Sequence, residues 1–285
     1  MYFDSHAHLD YEDIKGAGFD ENVKAIERSD VDYVMDIGVD LATSKKAAEN
    51  AGKYSWCYAA IGYHPHEAKG MSDIELEMIK ALAKNPKVMA IGEIGLDFHY
   101  EYSPKDVQRD VFRRQIELAN QLKMPIVIHS READQEVMDI LKEEGAFSEE
   151  RKSWFPKRPL PVEESEKSRS WLNAAYDARV LLHCFSGSRE MGEQYVKLGG
   201  TISIAGPVTY KNNRKTTEVV GSVPLEFMLI ETDAPFLAPE PKRGKANMSP
   251  YIEFTAMRVA AIKGITLDET ASKTTENAKR FFGID

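Results

Sequence analysis

His6 and His8 stand two residues apart in Tyr2-Phe3-Asp4-Ser5-His6-Ala7-His8, which reads as a short strand running into a polar turn. Residues at that spacing share one face of a strand, so both imidazoles aim at one point. Neutral imidazole is a ligand for zinc, manganese and iron, which makes the pair half of a metal site. Partners of the right type recur along the chain. Glu93 follows Ile91-Gly92, His129 follows Ile126-Val127-Ile128, His183 follows Leu181-Leu182, and Asp233 follows Ile230-Glu231-Thr232. Taken singly, Glu93 could cap a helix and His129 could be a hydrogen-bonded core histidine. Their common placement, each at or just past the end of an apolar run, is what joins them.

The apolar runs themselves read as strands at 2–8, 31–38, 56–62, 88–92, 125–128, 178–182, 200–204 and 227–231, separated by helical spacing. Ser72 with Glu75 three residues on is a capping-box signature for the helix between the third and fourth strands. Continuous apolar strands alternating with amphipathic helices imply a parallel sheet covered by helices. Eight such units over residues 1–285 imply a single-domain (β/α)8 TIM-type barrel, in which all strand ends meet on one face. An open doubly wound sheet is the alternative, weakened because no glycine-rich dinucleotide fingerprint follows the first strand. Residues 146–178 interrupt the rhythm and carry Trp154, Phe155 and Trp171. They read as a surface insertion, or else as a lid or a partner or oligomer contact, beside the expected site.

On that barrel His6, His8, Glu93, His129, His183 and Asp233 converge. Six ligands exceed one tetrahedral zinc and suit two divalent ions with positions left open for water. His6, His8 and Asp233, from the first and eighth strands, would share one ion. His129 and His183, from the fifth and sixth, would share the other, with Glu93 bridging. Two ions about 3.5–4 Å apart can clamp a phosphate or polarise a carbonyl. Asp233 is placed to take the proton from the attacking water.

The stretches Phe3-Asp4-Ser5-His6-Ala7-His8, Gly62-Tyr63-His64-Pro65-His66, Gly92-Glu93-Ile94-Gly95-Leu96-Asp97, His129-Ser130-Arg131, His183-Cys184-Phe185-Ser186-Gly187 and Glu231-Thr232-Asp233-Ala234-Pro235 form an ordered set. Together with Arg243-Gly244-Lys245-Ala246-Asn247 and Thr275-Glu276-Asn277, it resembles the TatD-type metal-dependent deoxyribonucleases, an amidohydrolase-like barrel family. The resemblance covers the chain except 146–178. It implies a hydrolase of phosphodiester bonds that uses divalent cations, acts on DNA and often trims a 3′ end. It implies His6, His8, Glu93, His129, His183 and Asp233 as metal ligands and Asp233 as general base.

Weaker expectations attach to neighbouring residues. His64 and Arg131 are candidate phosphate contacts, although His64 could be a turn histidine fixed by Pro65, and Arg131 could pair with a carboxylate. Asp4, Asp97 and Glu231 are candidates for orienting the ligand histidines. The basic loop 242–245 could attract a phosphate backbone or be a solvated charge run. Cys184 reads as a small core residue pointing away from the site. Mixed imidazole and carboxylate ligands admit Zn, Mn, Fe or Mg. Other functions open at this level are a barrel amidohydrolase acting on a cyclic amide or lactone, and a metal-stabilised scaffold that holds a partner through 146–178. Many such amidohydrolases place a modified lysine where Glu93 stands.

The totals bound the substrate and the setting. A net charge of −9 argues against a broad surface for coating nucleic acid but leaves room for a compact site that takes a strand end. No apolar run approaches the roughly 20 residues that cross a bilayer. The two cysteines, and an N-terminus without signal-peptide regions, fit the cytoplasm.

Overall fold

A computed structural model describes residues 1–10, 18–159 and 175–284. Eight strands lie side by side in sequence order and every pair is parallel. They are β1 (Tyr2–Ala7), β2 (Val31–Ile37), β3 (Cys57–Ile61), β4 (Val88–Asp97), β5 (Ile126–Arg131), β6 (Val180–Leu182), β7 (Thr201–Ile204) and β8 (Met228–Ile230). The barrel closes where the Asp233 N–H donates to the His6 carbonyl at 2.9 Å and the His8 N–H donates to the Ala234 carbonyl at 2.7 Å. Those two bonds bring the first ten residues against the end of β8.

The helices among the described residues are α1 (Phe19–Glu27), α2 (Leu41–Lys53), α3 (Asp73–Leu82), α4 (Lys105–Leu122), α5 (Asp134–Glu143), α6 (Glu149–Ser153), α7 (Arg189–Lys197), α8 (Arg214–Ser222), α9 (Ile252–Lys263) and α10 (Leu267–Phe282). The capping box at Ser72 is present: its hydroxyl accepts from the Glu75 N–H, and Glu75 accepts from the Ser72 N–H at 2.8 Å. None of the helices is long and apolar enough to cross a membrane among the described residues.

Strand alternation divides the core in two. Ile126 and Ile128, Val180 and Leu182, and Met228 and Ile230 face the helices. Val127, Leu181 and Leu229 between them face the barrel interior with Phe3, Met35, Ala60 and Ala90. Phe281 and Phe282 of α10 join this interior cluster, so the last helix stoppers one mouth of the barrel. The other mouth, at the carboxyl ends of the strands, is left for polar side chains.

Two strands break alternation there. In β1 the interior Phe3 and the site-facing His6 are three residues apart, and the pairing with β2 shifts register between Asp4 and Ala7. In β4 the same spacing separates Ala90 from Glu93, with a register shift between Ile91 and Ile94. A bulge swaps the faces a strand presents, and here it turns His6 and Glu93 inward. The run 95–97, expected as loop, continues β4, because glycine lets it press against β5: a Cβ at Gly92 would lie 2.6 Å from the Val127 Cβ, and one at Gly95 would collide with the His129 carbonyl.

The insertion is placed differently from expectation. Its flanks lie at the amino ends of the strands, the mouth opposite the ligand residues. Buried Arg151 donates to the carbonyls of Met124, just before β5, and Ala178, just before β6, each at 2.8 Å. Buried Arg158 donates to the Gly199 and Gly200 carbonyls before β7, at 2.9 and 3.1 Å. Every connection from a helix to the next strand returns to that end of a barrel, and this segment joins α5 to β6. Trp154 and Phe155 are half-buried against the Arg151 and Arg179 guanidinium groups instead of standing free as anchors. Residues 160–174, Trp171 among them, lie outside the described residues.

Candidate metal centre

At the open mouth, four donor atoms gather from β1, β4 and the segment after β8. His6 Nε2 lies 3.4 Å from His8 Nε2, 3.4 Å from Glu93 Oε2 and 3.8 Å from Asp233 Oδ1. His8 Nε2 lies 3.7 Å from Glu93 Oε2 and 3.6 Å from Asp233 Oδ1. A tetrahedron around an ion with bonds of about 2.0–2.1 Å has edges of about 3.3–3.4 Å, so His6, His8 and Glu93 are spaced to hold a divalent cation, with Asp233 beside them.

The other oxygen of Glu93 serves a second group. Glu93 Oε1 is 2.7 Å from His129 Nδ1, 2.7 Å from His183 Nε2 and 3.5 Å from His64 Nε2. His129 Nδ1 and His183 Nε2 are 3.4 Å apart. His6, His8 and Glu93 form one group and His64, Glu93 and His129 another, with Asp233 beside the first and His183 beside the second.

The buried surroundings fix which imidazole nitrogen is free. His8 Nδ1 is 3.0 Å from the Ile37 carbonyl, so it carries the proton and leaves Nε2 with its lone pair toward the cage. His129 Nε2 lies 3.2 Å from Asp97 Oδ2, which leaves Nδ1 for the Glu93 side. His183 Nδ1 lies 3.4 Å from Glu231 Oε1, and Glu231 is itself held by the Ser203 hydroxyl. Asp97 thus faces His129 and Glu231 faces His183, two of the candidate ligand histidines. Asp4 does not: its carboxylate accepts from the Thr232 N–H at 2.9 Å and the Thr232 hydroxyl at 2.6 Å. It locks β1 to the residue before Asp233, and burial pushes its pKa up to about 7.

Burial presses each of these groups toward its neutral form. At Glu93 the surrounding His183, His64 and His6 override burial and hold the carboxyl well below the usual carboxylate range. At Asp233, His8 and His6 do the same. Burial keeps His64 well below the ordinary imidazole value, and burial with His183 lowers His6. Against burial, Glu93 and Glu231 raise His183 well above it. The result is a set of ionised carboxylates with imidazoles in reach, and any proton on His183 is one that a cation would displace.

Other expected positions fall outside the cage. Arg131 is exposed and lays its guanidinium 4.6 Å over the Tyr100 ring, so its partner is aromatic and not a carboxylate in the mouth. Lys242 and Arg243 of the basic loop sit 5.0 Å over Tyr251 and 4.3 Å over Tyr210. Cys184 is partly exposed and lines a small cavity with Ser130, Asp134 and Ser186, where a core position was expected. Sequence reasoning missed His66, whose Nε2 lies 2.9 Å from Asp97 Oδ2, the same oxygen that faces His129. The signal was available, since His64 and His66 repeat the two-residue spacing of His6 and His8. Asp97→Asn is expected to weaken cation retention about 10–100-fold with little loss of fold, measured by metal content after dialysis against graded chelator.

The family model described as TatD related DNase matches residues 3–283. A Bacillus subtilis (strain 168) protein described as an uncharacterized metal-dependent hydrolase, YabD, is 40% identical over 285 residues, covering 100% of both chains. A Klebsiella pneumoniae (strain 342) protein named 3′-5′ ssDNA/RNA exonuclease TatD is 31% identical over 271 residues, covering 93% of this chain and 92% of its own. Among solved structures, YJJV, a TatD homolog from Escherichia coli K12, superposes with a TM-score of 0.81 at 24% identity, covering 100% of this chain and 98% of its own; this likeness concerns the fold.

Proposed function

The chain belongs to the TatD-related DNase family of metal-dependent hydrolases, and from that premise we propose that it is a phosphodiesterase that removes nucleotides from the 3′ end of single-stranded DNA with two divalent ions. The observation that carries this reading is the division of Glu93: one oxygen faces His6 and His8, the other faces His129, His183 and His64. A single carboxylate serving two donor groups is the arrangement of a bridged pair. When bound, two such ions neutralise phosphate charge and lower the pKa of a water to near neutrality.

The chain's own residues divide the remaining work. Asp233, ionised and partly exposed at the rim of the cage, accepts the proton of the attacking water. His64, kept neutral by burial, donates to a non-bridging phosphate oxygen or completes the second ion's ligands. Arg131 neutralises the next phosphate along the strand. The donors suit Zn, Mn or Mg. We place the protein in the cytoplasm, where its two free cysteines would stay reduced.

End-labelled single strands give the test. Purified, metal-analysed protein is expected to shorten a 5′-labelled oligonucleotide stepwise, to lose that activity in excess chelator, and to regain it on adding back Mn²⁺, Mg²⁺ or Zn²⁺. Cleavage that ignores chelator would sink the reading. So would hydrolysis of lactones or cyclic amides with the strand left intact.

A further inference from the structure

Beyond the ligand cage the mouth of the barrel carries a second feature. Tyr100 and Tyr102 lie parallel, with ring centroids 5.4 Å apart and an interplanar angle of 12°. Tyrosine is ordinarily of intermediate burial, yet these two are 45% and 58% exposed. They are also held in place. The His66 ring meets Tyr100 edge-on at 5.5 Å and Tyr102 at 4.8 Å, and Arg131 caps the Tyr100 ring. His66 in turn is pinned to the Asp97 oxygen that faces His129. The two rings are therefore one side chain removed from the group that orients a ligand histidine.

We propose that Tyr100 and Tyr102, braced by His66, form a stacking platform for a base of the single strand next to the bond being cut, with Arg131 set to meet its backbone phosphate. This rests on the nuclease reading and adds to it how the strand is held. Three observations select a nucleobase as occupant. Flat rings already stacked in parallel extend naturally by one more flat ring. A guanidinium at the edge of that stack supplies the charge that a phosphodiester needs and a lactone does not. The chain as a whole is acidic, at −9, so affinity for a polyanion has to come from a local device. A π face reads every base alike, so the platform recognises unpaired ends without choosing a sequence.

The test compares the metal-loaded wild type with Tyr100→Ala/Tyr102→Ala and Tyr100→Phe/Tyr102→Phe double variants. Probes are a single-stranded oligonucleotide, the same strand with abasic sites at its 3′-terminal positions, and phosphorothioate versions of both that resist cleavage. KM and kcat are read from cleavage, and Kd is read from fluorescence anisotropy. The alanine variant is expected to raise KM and Kd for the normal strand by about tenfold or more, as loss of base stacking does. It should no longer distinguish normal from abasic ends, whereas the wild type should bind the abasic strand about tenfold more weakly. The phenylalanine variant, which keeps both rings, should restore the discrimination. Unchanged Kd in the alanine variant, or discrimination that survives in it, would overturn the platform while cleavage by the wild type left the nuclease reading standing. Base-dependent binding without cleavage would keep the platform and reject the nuclease. A wild type that neither binds nor cleaves the strand would reject both.

Discussion

Glu93→Gln is expected to reduce hydrolysis by at least about 10³-fold and to lower the content of bound divalent ion, with the barrel still folded. The amide keeps the volume of the carboxylate and removes its charge. Both donor groups lose at once, because the two oxygens of Glu93 are divided between them. An uncharged side chain also removes the Glu93 charge that raises His183 against the effect of burial. His6→Ala or His8→Ala, by contrast, removes one donor from one cage. Turnover on a labelled strand, metal content and far-UV circular dichroism together check the claim. Full metal loading with normal turnover in Glu93→Gln would show that the carboxylate is not the link.

Asp177→Ala is expected to cost about 3–5 kcal/mol and to lower the melting temperature on the order of 10 °C, as breaking one side of a buried pair does. Asp177 is 1% exposed and lies 2.7 Å from Arg158, whose side chain is completely buried. Arg280 is also near, at 3.9 Å. Removing the carboxylate leaves these cations enclosed without their counter-charge. The site is at the opposite mouth, so turnover per folded molecule should be unaffected. Thermal or denaturant unfolding beside an activity measurement separates the two effects.

The barrel was readable because its signals are local. Apolar runs such as Ile126-Val127-Ile128 and Met228-Leu229-Ile230 are too short and too uniformly apolar for amphipathic helices, and parallel strands buried on both faces require that pattern. The convergence of the candidate ligands was readable for a related reason: a charged or titratable side chain directly after such a run has nowhere to go but the strand end. What stayed hidden depends on contacts between strands. Nothing local says that Gly92 and Gly95 let β4 run on past Glu93, because the reason is the backbone of β5. The turn of His6 and Glu93 inward rests on register shifts that exist only between neighbours. Tyr100 and Tyr102 read as ordinary loop aromatics until their exposure and parallel setting are visible. The position of 146–159 and 175–178 is a different case. Alternating connectivity alone assigns a segment between α5 and β6 to the far mouth, and the mistaken expectation came from judging closeness to the site along the chain and not through the barrel.

The seam joining His6 to Asp233 has a consequence for biosynthesis. The candidate cation pocket takes donors from β1 and from the segment after β8, seven strands later, so no nascent fragment that stops short of β8 contains the whole pocket. α10, which shuts the far end, emerges later still. A polypeptide that ends before Asp233 is therefore expected to lack the full donor set, however well its earlier strands form.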